Sequence, residues 1–240
     1  MTQASEQIAR QFANANYNKR IWGDIFFNVK AFGAVGDGIT DDTQAIQSAI
    51  DAAYSNGSGT VGFPPGTYLC GDLTMRDKVS LYAFPSPFHY LSQIGYVTLK
   101  AKPGATYILN VAGVKGFGVH GILFNGSDRT SNGISSGGET GWIQNCKFEM
   151  CDTGIGKFNT KYLLTTYIEA CMFEHCNKGI ENIADSKILE SFIYACRVGI
   201  ALATGANANI ISDNKIEWNF EEGVSLYQCL HNIISNNVID

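Results

Sequence analysis

Proline is scarce in this 240-residue chain, with five against 26 glycines. Tight turns, rather than stiff Pro-rich linkers, are expected to carry the chain between elements. Lysine and arginine total 17 and lie scattered among 22 acidic residues, for a net charge of −5. No basic patch therefore argues for nucleic acid or an anionic membrane surface. No apolar run approaches the ~18 residues a membrane span needs. The polar opening MTQASEQIARQFANANYNKR lacks the apolar stretch of a secretory signal, which predicts synthesis in a cytoplasm without a leader. Cys-x-x-Cys is absent, and seven cysteines are an odd set for a disulfide framework. The reading is buried apolar thiols, with no metal and no cofactor.

What is present begins with a short N-terminal segment. Residues 5–14 read as a weakly amphipathic helix with Ile8 and Phe12 on one face. That is too little to fold alone, so residues 1–26 are expected to pack on a neighbour. IFFNVKAF then alternates like a strand, followed by FGAVGDGITDDTQAIQSAID at residues 32–51. Its clustered Asp37, Asp41 and Asp42 invite a catalytic or metal reading, but Ala45, Ile46, Ala49, Ile50 and Ala53 follow at helical spacing. Thr40, Asp41 or Asp42 is placed to cap that helix, and Gly57 to end it. Short strands broken at Pro64-Pro65-Gly66 come next.

From about residue 110 the chain repeats itself. NCKFEMCDTGI, ACMFEHCNKGI, ESFIYACRVGI and KIEWNFEEGV succeed one another, with glycines at 133, 154, 179, 199 and 223. Steps of 21, 25, 20 and 24 residues with short apolar runs indicate a solenoid. The LxxLxLxxN pattern is missing, and the uneven step requires turns that absorb insertions while strands keep register. The prediction is all-β, a parallel β-helix over residues 27–240 with the helix near residues 43–54 capping its N-terminal edge. Cys146 should lie over Cys171, Cys151 over Cys176 over Cys196, and Phe148, Phe173 and Ile193 should form an apolar ladder. The last residues, NIISNNVID, stop within a coil, so a continuation or another cover for that edge is expected.

FGAVGDGITDDTQAIQSAIDAA, GTVGFPPGTY and the glycine-punctuated repeat resemble the pectate-lyase-like single-stranded right-handed β-helix superfamily, and within it bacteriophage tailspike and depolymerase proteins. That resemblance implies a virion tail protein, homotrimeric, that binds and depolymerises a bacterial capsule or O-antigen by glycosidic cleavage. It leaves residues 1–26 for attachment to other tail proteins or for trimer contacts. A non-catalytic adhesion β-helix and a secreted polysaccharide lyase are the alternatives.

The candidate site lies on the outer face of the coils. Glu149 and Glu174 each follow an inward Phe by one residue, and Glu217 occupies a similar place two coils on, allowing for one inserted residue. Stacked carboxylates would repel and raise one pKa toward a general-acid role, although solvated carboxylates paired with Lys147 or Lys178 are an equally simple reading. Asp213, Glu217, Glu221 and Glu222 form the densest acidic run, and Trp218, Phe220 and Tyr227 offer faces for sugars. The catalytic candidates are thus Glu149, Glu174, Glu217 and Asp213. Trp218, Tyr194, Tyr227, His175 and Arg197 are the substrate-binding candidates, Arg197 doubling as the basic group of a lyase.

Overall fold

A computed structural model describes residues 25–83, 97–156 and 161–240; the anticipated N-terminal helix and most of residues 1–26 lie outside them. The chain winds through three parallel sheets. Sheet A has a path of nine strands from Phe26–Asn28 to Ile233–Ser235, sheet B nine from Asp37–Asp41 to Val238–Ile239, and sheet C seven from Leu73–Thr74 to Glu222–Leu226. The first turn visits A and B and then a helix, later coils visit A, B and C in turn, and strands pair with their equivalents one coil away. No helix among the described residues is long and apolar enough to cross a membrane.

Helix α1 (Thr43–Ser55) buries Ile46, Ala49, Ile50 and Ala53 over the first coils, as its spacing requires. Its N-terminal aspartates all serve the backbone. Asp41 accepts from Thr43 N at 3.0 Å, whereas Asp42, at the N-cap position, turns back to Val35 N at 2.6 Å and Gly36 N at 2.9 Å. Asp37 accepts from Ile39 N and Thr40 N. Those backbone bonds hold the Asp37 carboxyl below its ordinary range. The segment before the helix departs from the alternation read in it: only Phe26–Asn28 is strand, and Val29–Phe32 is a 3-10 turn started by Asn28, whose side chain accepts from Lys30 N. A local Asx cap has outcompeted pairing there.

Inside the coils, identical positions stack. The rings of Phe124, Phe148 and Phe173 are parallel at 4.9 Å steps, and Ile193 and Ile216 continue the column. The recurring glycines have a steric cause. A Cβ at Gly133, Gly154, Gly179 or Gly199 would come within 2.4–2.6 Å of the carbonyl oxygen of the equivalent glycine on the next coil. Coil length varies between sheets C and A: Ile155 is followed by Tyr167–Glu169, Ile180 by Lys187–Leu189 and Ile200 by Ile210–Ser212.

The corners show a rule that the sequence only hinted at. Asn145, Ala170, Glu190, Asp213 and Asn236 turn the chain from A to B, and Met150, His175, Ala195 and Trp218 turn it from B to C. Ala208 and His231 turn it from C to A, and Thr165 and Asp185 bend it between two short strands of sheet A, Leu163–Leu164 to Tyr167–Glu169 and Ile183–Ala184 to Lys187–Leu189. All have φ between 49° and 59°. This left-handed conformation costs non-glycine residues about 1–2 kcal/mol each. The residue after each one points inward, and its N–H is bent out of the sheet ladder. The side chain at the same position of the next coil accepts it: Cys171 N donates to Ser191 Oγ at 3.1 Å, Ser191 N to Asn214 Oδ1 at 2.9 Å, and Asn214 N to Asn237 Oδ1 at 2.9 Å. Parallel columns run through Thr166, Ser186, Asn209 and Asn232, and through Cys196 and Asn219. The predicted cysteine pairs therefore exist but belong to mixed Cys/Ser/Asn ladders. All six cysteines other than Cys229 are buried and free, and burial pushes the Cys171 and Cys176 thiols well up, which leaves them unreactive.

Asn214→Ala should leave Ser191 N–H without its acceptor in the interior. A loss of about 2–4 kcal/mol in urea unfolding is expected; a loss below about 0.5 kcal/mol would show that the ladder is dispensable.

Candidate functional site

Register decides which outward side chains meet. On sheet B the column runs Lys100, Asn125, Glu149, Glu174, Tyr194 and Glu217, one residue per coil. Glu217 falls in that column without any inserted residue. A second outward column two residues earlier carries Lys147, Met172, Phe192 and Lys215. The two columns interlock. Lys147 Nζ lies 2.9 Å from Glu149 Oε2 and also bonds Glu174 Oε1. Glu149 Oε1 accepts from Asn125 Nδ2 at 2.7 Å, and the Tyr194 hydroxyl donates to Glu174 Oε2. Lys215 Nζ lies 2.9 Å from Glu217 Oε2 and 5.3 Å from the Phe192 ring centre, and Phe192 stacks on Tyr194 at 4.6 Å.

The Lys147 side chain is only 3% exposed, so the two glutamates are not simply solvated residues on a polar face. Burial pushes the Glu149 carboxyl up, but bonds and charge from Lys147 and the Asn125 amide outweigh it and hold the group below its ordinary range. The repulsion-raised acid anticipated for a stacked pair is therefore not Glu149, because a shared cation replaces the repulsion. Burial alone would lower Lys147; its two carboxylate partners raise it instead. Lys178 serves elsewhere, bonded to Glu181 on sheet C.

The B-to-C corner borders this face. His175, Ala195 and Trp218 occupy equivalent corner positions on successive coils. His175 is exposed, with its ring 6.3 Å from that of Tyr194, and its carbonyl accepts from Arg129 Nε. Trp218 is 65% exposed. Small Ala195 leaves a gap between the two larger corner side chains, beside Tyr194. Sequence reasoning missed Lys147 as the shared cation, Asn125 and Arg129; none of them recurs from coil to coil.

The acidic run does not form one patch. Asp213 sits at the A-to-B corner with Ser212 Oγ donating to it at 2.7 Å, Glu217 on sheet B, and Glu222 at the start of sheet C. Glu221 pairs with Arg197, 3.4 Å away, with both side chains half exposed. Tyr227 follows the sheet C strand Glu222–Leu226 and lies around the coil from Glu217. The eight residues from Asp213 to Phe220 include two corners, Asp213 and Trp218, so nearness along the chain misled. On sheet C, Asn132 Oδ1 and Glu181 Oε2 are buried acceptors without a hydrogen-bond partner. Among the described residues no cluster of three or more His, Cys, Asp or Glu side chains could hold a metal.

Residues 110–240, more than half the chain, match the model of the right-handed β-helix region. The chain belongs to the right-handed β-helix family. Residues 26–82, which include α1, match the model described as rhamnogalacturonase A/epimerase, pectate lyase-like. Mannuronan C5-epimerase AlgE6 of Azotobacter vinelandii is 54% identical over 63 residues, covering 23% of this chain and 7% of that protein. The solved A-module of that epimerase superposes with a TM-score of 0.71 at 24% identity, covering 82% of this chain and 58% of the module. Alginate lyase 7 of the same organism is 34% identical over 124 residues, 49% of this chain and 14% of that protein. The enzymatically active domain of tailspike protein 2 of bacteriophage CBA120 shares the fold with a TM-score of 0.67 at 17% identity, covering 89% and 35% of the two chains. The chain thus spans a small fraction of the curated relatives it matches.

Removing the shared cation tests the sheet B network. Lys147→Met should cost about 3–5 kcal/mol near neutral pH, because two largely buried carboxylates lose their partner. Glu149, depressed in the fold, contributes stability above its unfolded pKa of ~4.3 and loses it as pH falls through the folded value. Lys147, raised, contributes below its unfolded pKa of ~10.4 and loses it as pH rises through the folded value. The penalty of Lys147→Met should therefore shrink as pH falls through the folded value of Glu149. Equal penalties at pH 7 and pH 3.5 in denaturant titrations would contradict the network.

Proposed function

We propose that this chain is the β-helical part of a bacteriophage tail protein that binds a bacterial surface polysaccharide and depolymerises it by glycosidic cleavage. The observation that carries this reading is the register placing Glu174, Tyr194 and Glu217 in one outward column beside the His175–Ala195–Trp218 corner. Support also comes from the likeness to polysaccharide epimerases, an alginate lyase and a tailspike domain. In this reading the protein acts outside the host cell as part of a homotrimeric tail, with residues 1–26 attaching it to its neighbours.

Spacing sorts the carboxylates. Glu149 and Glu174 are one coil apart, about 4.8 Å, close to the ~5–5.5 Å of a retaining pair. Lys147 bridges them, however, which removes the protonated acid such a pair needs. Glu174 and Glu217 are two coils apart, about 9.5 Å, at the upper end of the roughly 6.5–9.5 Å that leaves room for a water in an inverting reaction. A sugar unit at the level of Tyr194 and Ala195 would lie between them, with its apolar face available to Trp218 and His175 at its edge. Glu174, fixed by Lys147 and Tyr194, then acts on water. Glu217, whose cation Lys215 is an exposed side chain that substrate can displace, protonates the leaving oxygen. A second reading is β-elimination, with Tyr194, whose hydroxyl bonds Glu174, delivering the proton.

Incubating the protein with host capsule or O-antigen should lower viscosity and release reducing ends. Glu174→Gln and Glu217→Gln should each slow cleavage by about 10²-fold or more, and Glu149→Gln by less. Full activity in both single variants removes the assignment, and an ultraviolet-absorbing unsaturated product replaces hydrolysis with elimination. Binding with no cleavage at all would leave an adhesion β-helix.

A further inference from the structure

Sheet A carries a second set of side chains suited to a sugar, with no part in the carboxylate column. Its outward positions align Ser80, Gly118, Trp142, Tyr167 and Lys187 on successive coils. The Trp142 and Tyr167 rings stack at 5.2 Å with 28° between planes, and Lys187 Nζ lies 4.9 Å from the Tyr167 ring centre. Tyr167 therefore covers one face of Trp142. The opposite face looks along the helix axis toward Gly118, where Ser80 Oγ leans into the space a side chain would fill, 2.6 Å from the place of a Cβ. Trp142 remains 52% exposed, an apolar area left to water in the middle of a sheet rather than at an end of the stack.

The neighbouring outward column closes one side of this gap. Tyr82 and His120 stack at 4.6 Å and 14°, and Gln144 follows, donating to Glu169 Oε2 at 2.6 Å. Two strand spacings, about 9.6 Å, separate the strands of Ser80 and Trp142. That leaves room for one saccharide ring flat against the indole, with Ser80 and His120 available to its hydroxyls. The charges around the gap cancel. Lys115 pairs with Glu139 at 3.3 Å, Lys187 and Glu169 contribute one of each sign, and burial pushes His120 down toward its neutral form.

We propose that this notch binds one neutral pyranose unit of a polysaccharide, stacked on the open face of Trp142 and separate from the sheet B column. The assignment rests on the polysaccharide reading above and extends it: a chain held on sheet A would be kept at the surface while the adjoining sheet B face works on it. The balance of charge excludes a polyanion as the preferred occupant, which separates this notch from a site for uronate chains.

The test uses the whole chain with malto-, cello-, manno- and galactohexaose as probes and a polymannuronate hexamer as the anionic comparison. Tryptophan fluorescence and calorimetry should show at least one neutral hexamer binding. Trp142→Ala should weaken that binding tenfold or more, and Trp142→Phe should restore most of it. Binding of no neutral hexamer, preference for polymannuronate, or unchanged affinity in Trp142→Ala would each overturn the notch. So would wild-type self-association in sedimentation that Trp142→Ala abolishes, since the face would then belong to a second copy. The two readings fail separately: capsule cleavage that persists while Trp142→Ala binds normally sinks only the notch, whereas protein that neither binds nor cuts any glycan sinks both.

Discussion

Everything in this molecule depends on one spacing, the ~4.8 Å between parallel strands of successive coils. It fixes each residue above its equivalent, so a side chain's first neighbour is the same position one coil away. In the interior this selects residues that stack on themselves, such as Phe124, Phe148 and Phe173. At the corners it solves a harder problem. A left-handed turn leaves a buried N–H with no strand to receive it, and an unpaired buried donor costs about 1–3 kcal/mol. The equivalent side chain of the next coil is the nearest acceptor available. Asparagine fits best, because its amide accepts from one coil and donates to the next or to a carbonyl, as Asn209 and Asn214 do. Thiols supply only weak bonds, and they occupy the middle coils, where the aromatic ladder makes apolar burial the larger gain.

The same spacing governs the outside. Like charges at equivalent positions of neighbouring coils are forced together, so Glu149 and Glu174 must be neutralised. Lys147, one strand position away on the same face, does this from under the surface. Rings at equivalent positions are stacked just as strictly, which pairs Trp142 with Tyr167 and Tyr82 with His120. Outer faces are therefore columns of fixed pitch, and a polymer laid along them meets chemistry at regular intervals. Carboxylates one or two steps apart differ in what can fit between them, and a glycine in the column is a gap of known height.

Legibility in the sequence followed from repetition. Phe148 over Phe173, Glu149 over Glu174 and the cysteine pairs could be read because identical residues recur beside a recurring glycine. Where the column changes identity, the signal vanishes: Trp142, Tyr167 and Lys187 share one column but no motif, and Ser191 and Asn214 continue a cysteine ladder under other names. Glu217 does share the column, and the inserted residue allowed for in its coil lies after the strand, between Trp218 and Glu222. The run from Asp213 to Glu222 looked like one patch because linear distance ignores corners, and Asp213 and Trp218, five residues apart, each turn the chain onto a different face. The opening aspartates were legible as scaffold, since the helix after them had a complete apolar stripe; that Asp42 would turn back to residues 35 and 36 was not.

The corners also limit what backbone strain can signify here. His175, Asp213 and Trp218 are non-glycine residues at positive φ, a feature that in many proteins accompanies functional sites. Here Ala170, Ala195 and Ala208 share it, as do the equivalent corners of the coils from Asn145 onward, so it marks geometry and not chemistry. What separates His175 and Trp218 from the alanines is side-chain size at a position the fold keeps at the surface. A large side chain on either side of a small one makes a recess at a corner as Gly118 does within a sheet. Recesses in otherwise regular columns, rather than strained residues, are the places where such a solenoid can hold something that is not itself.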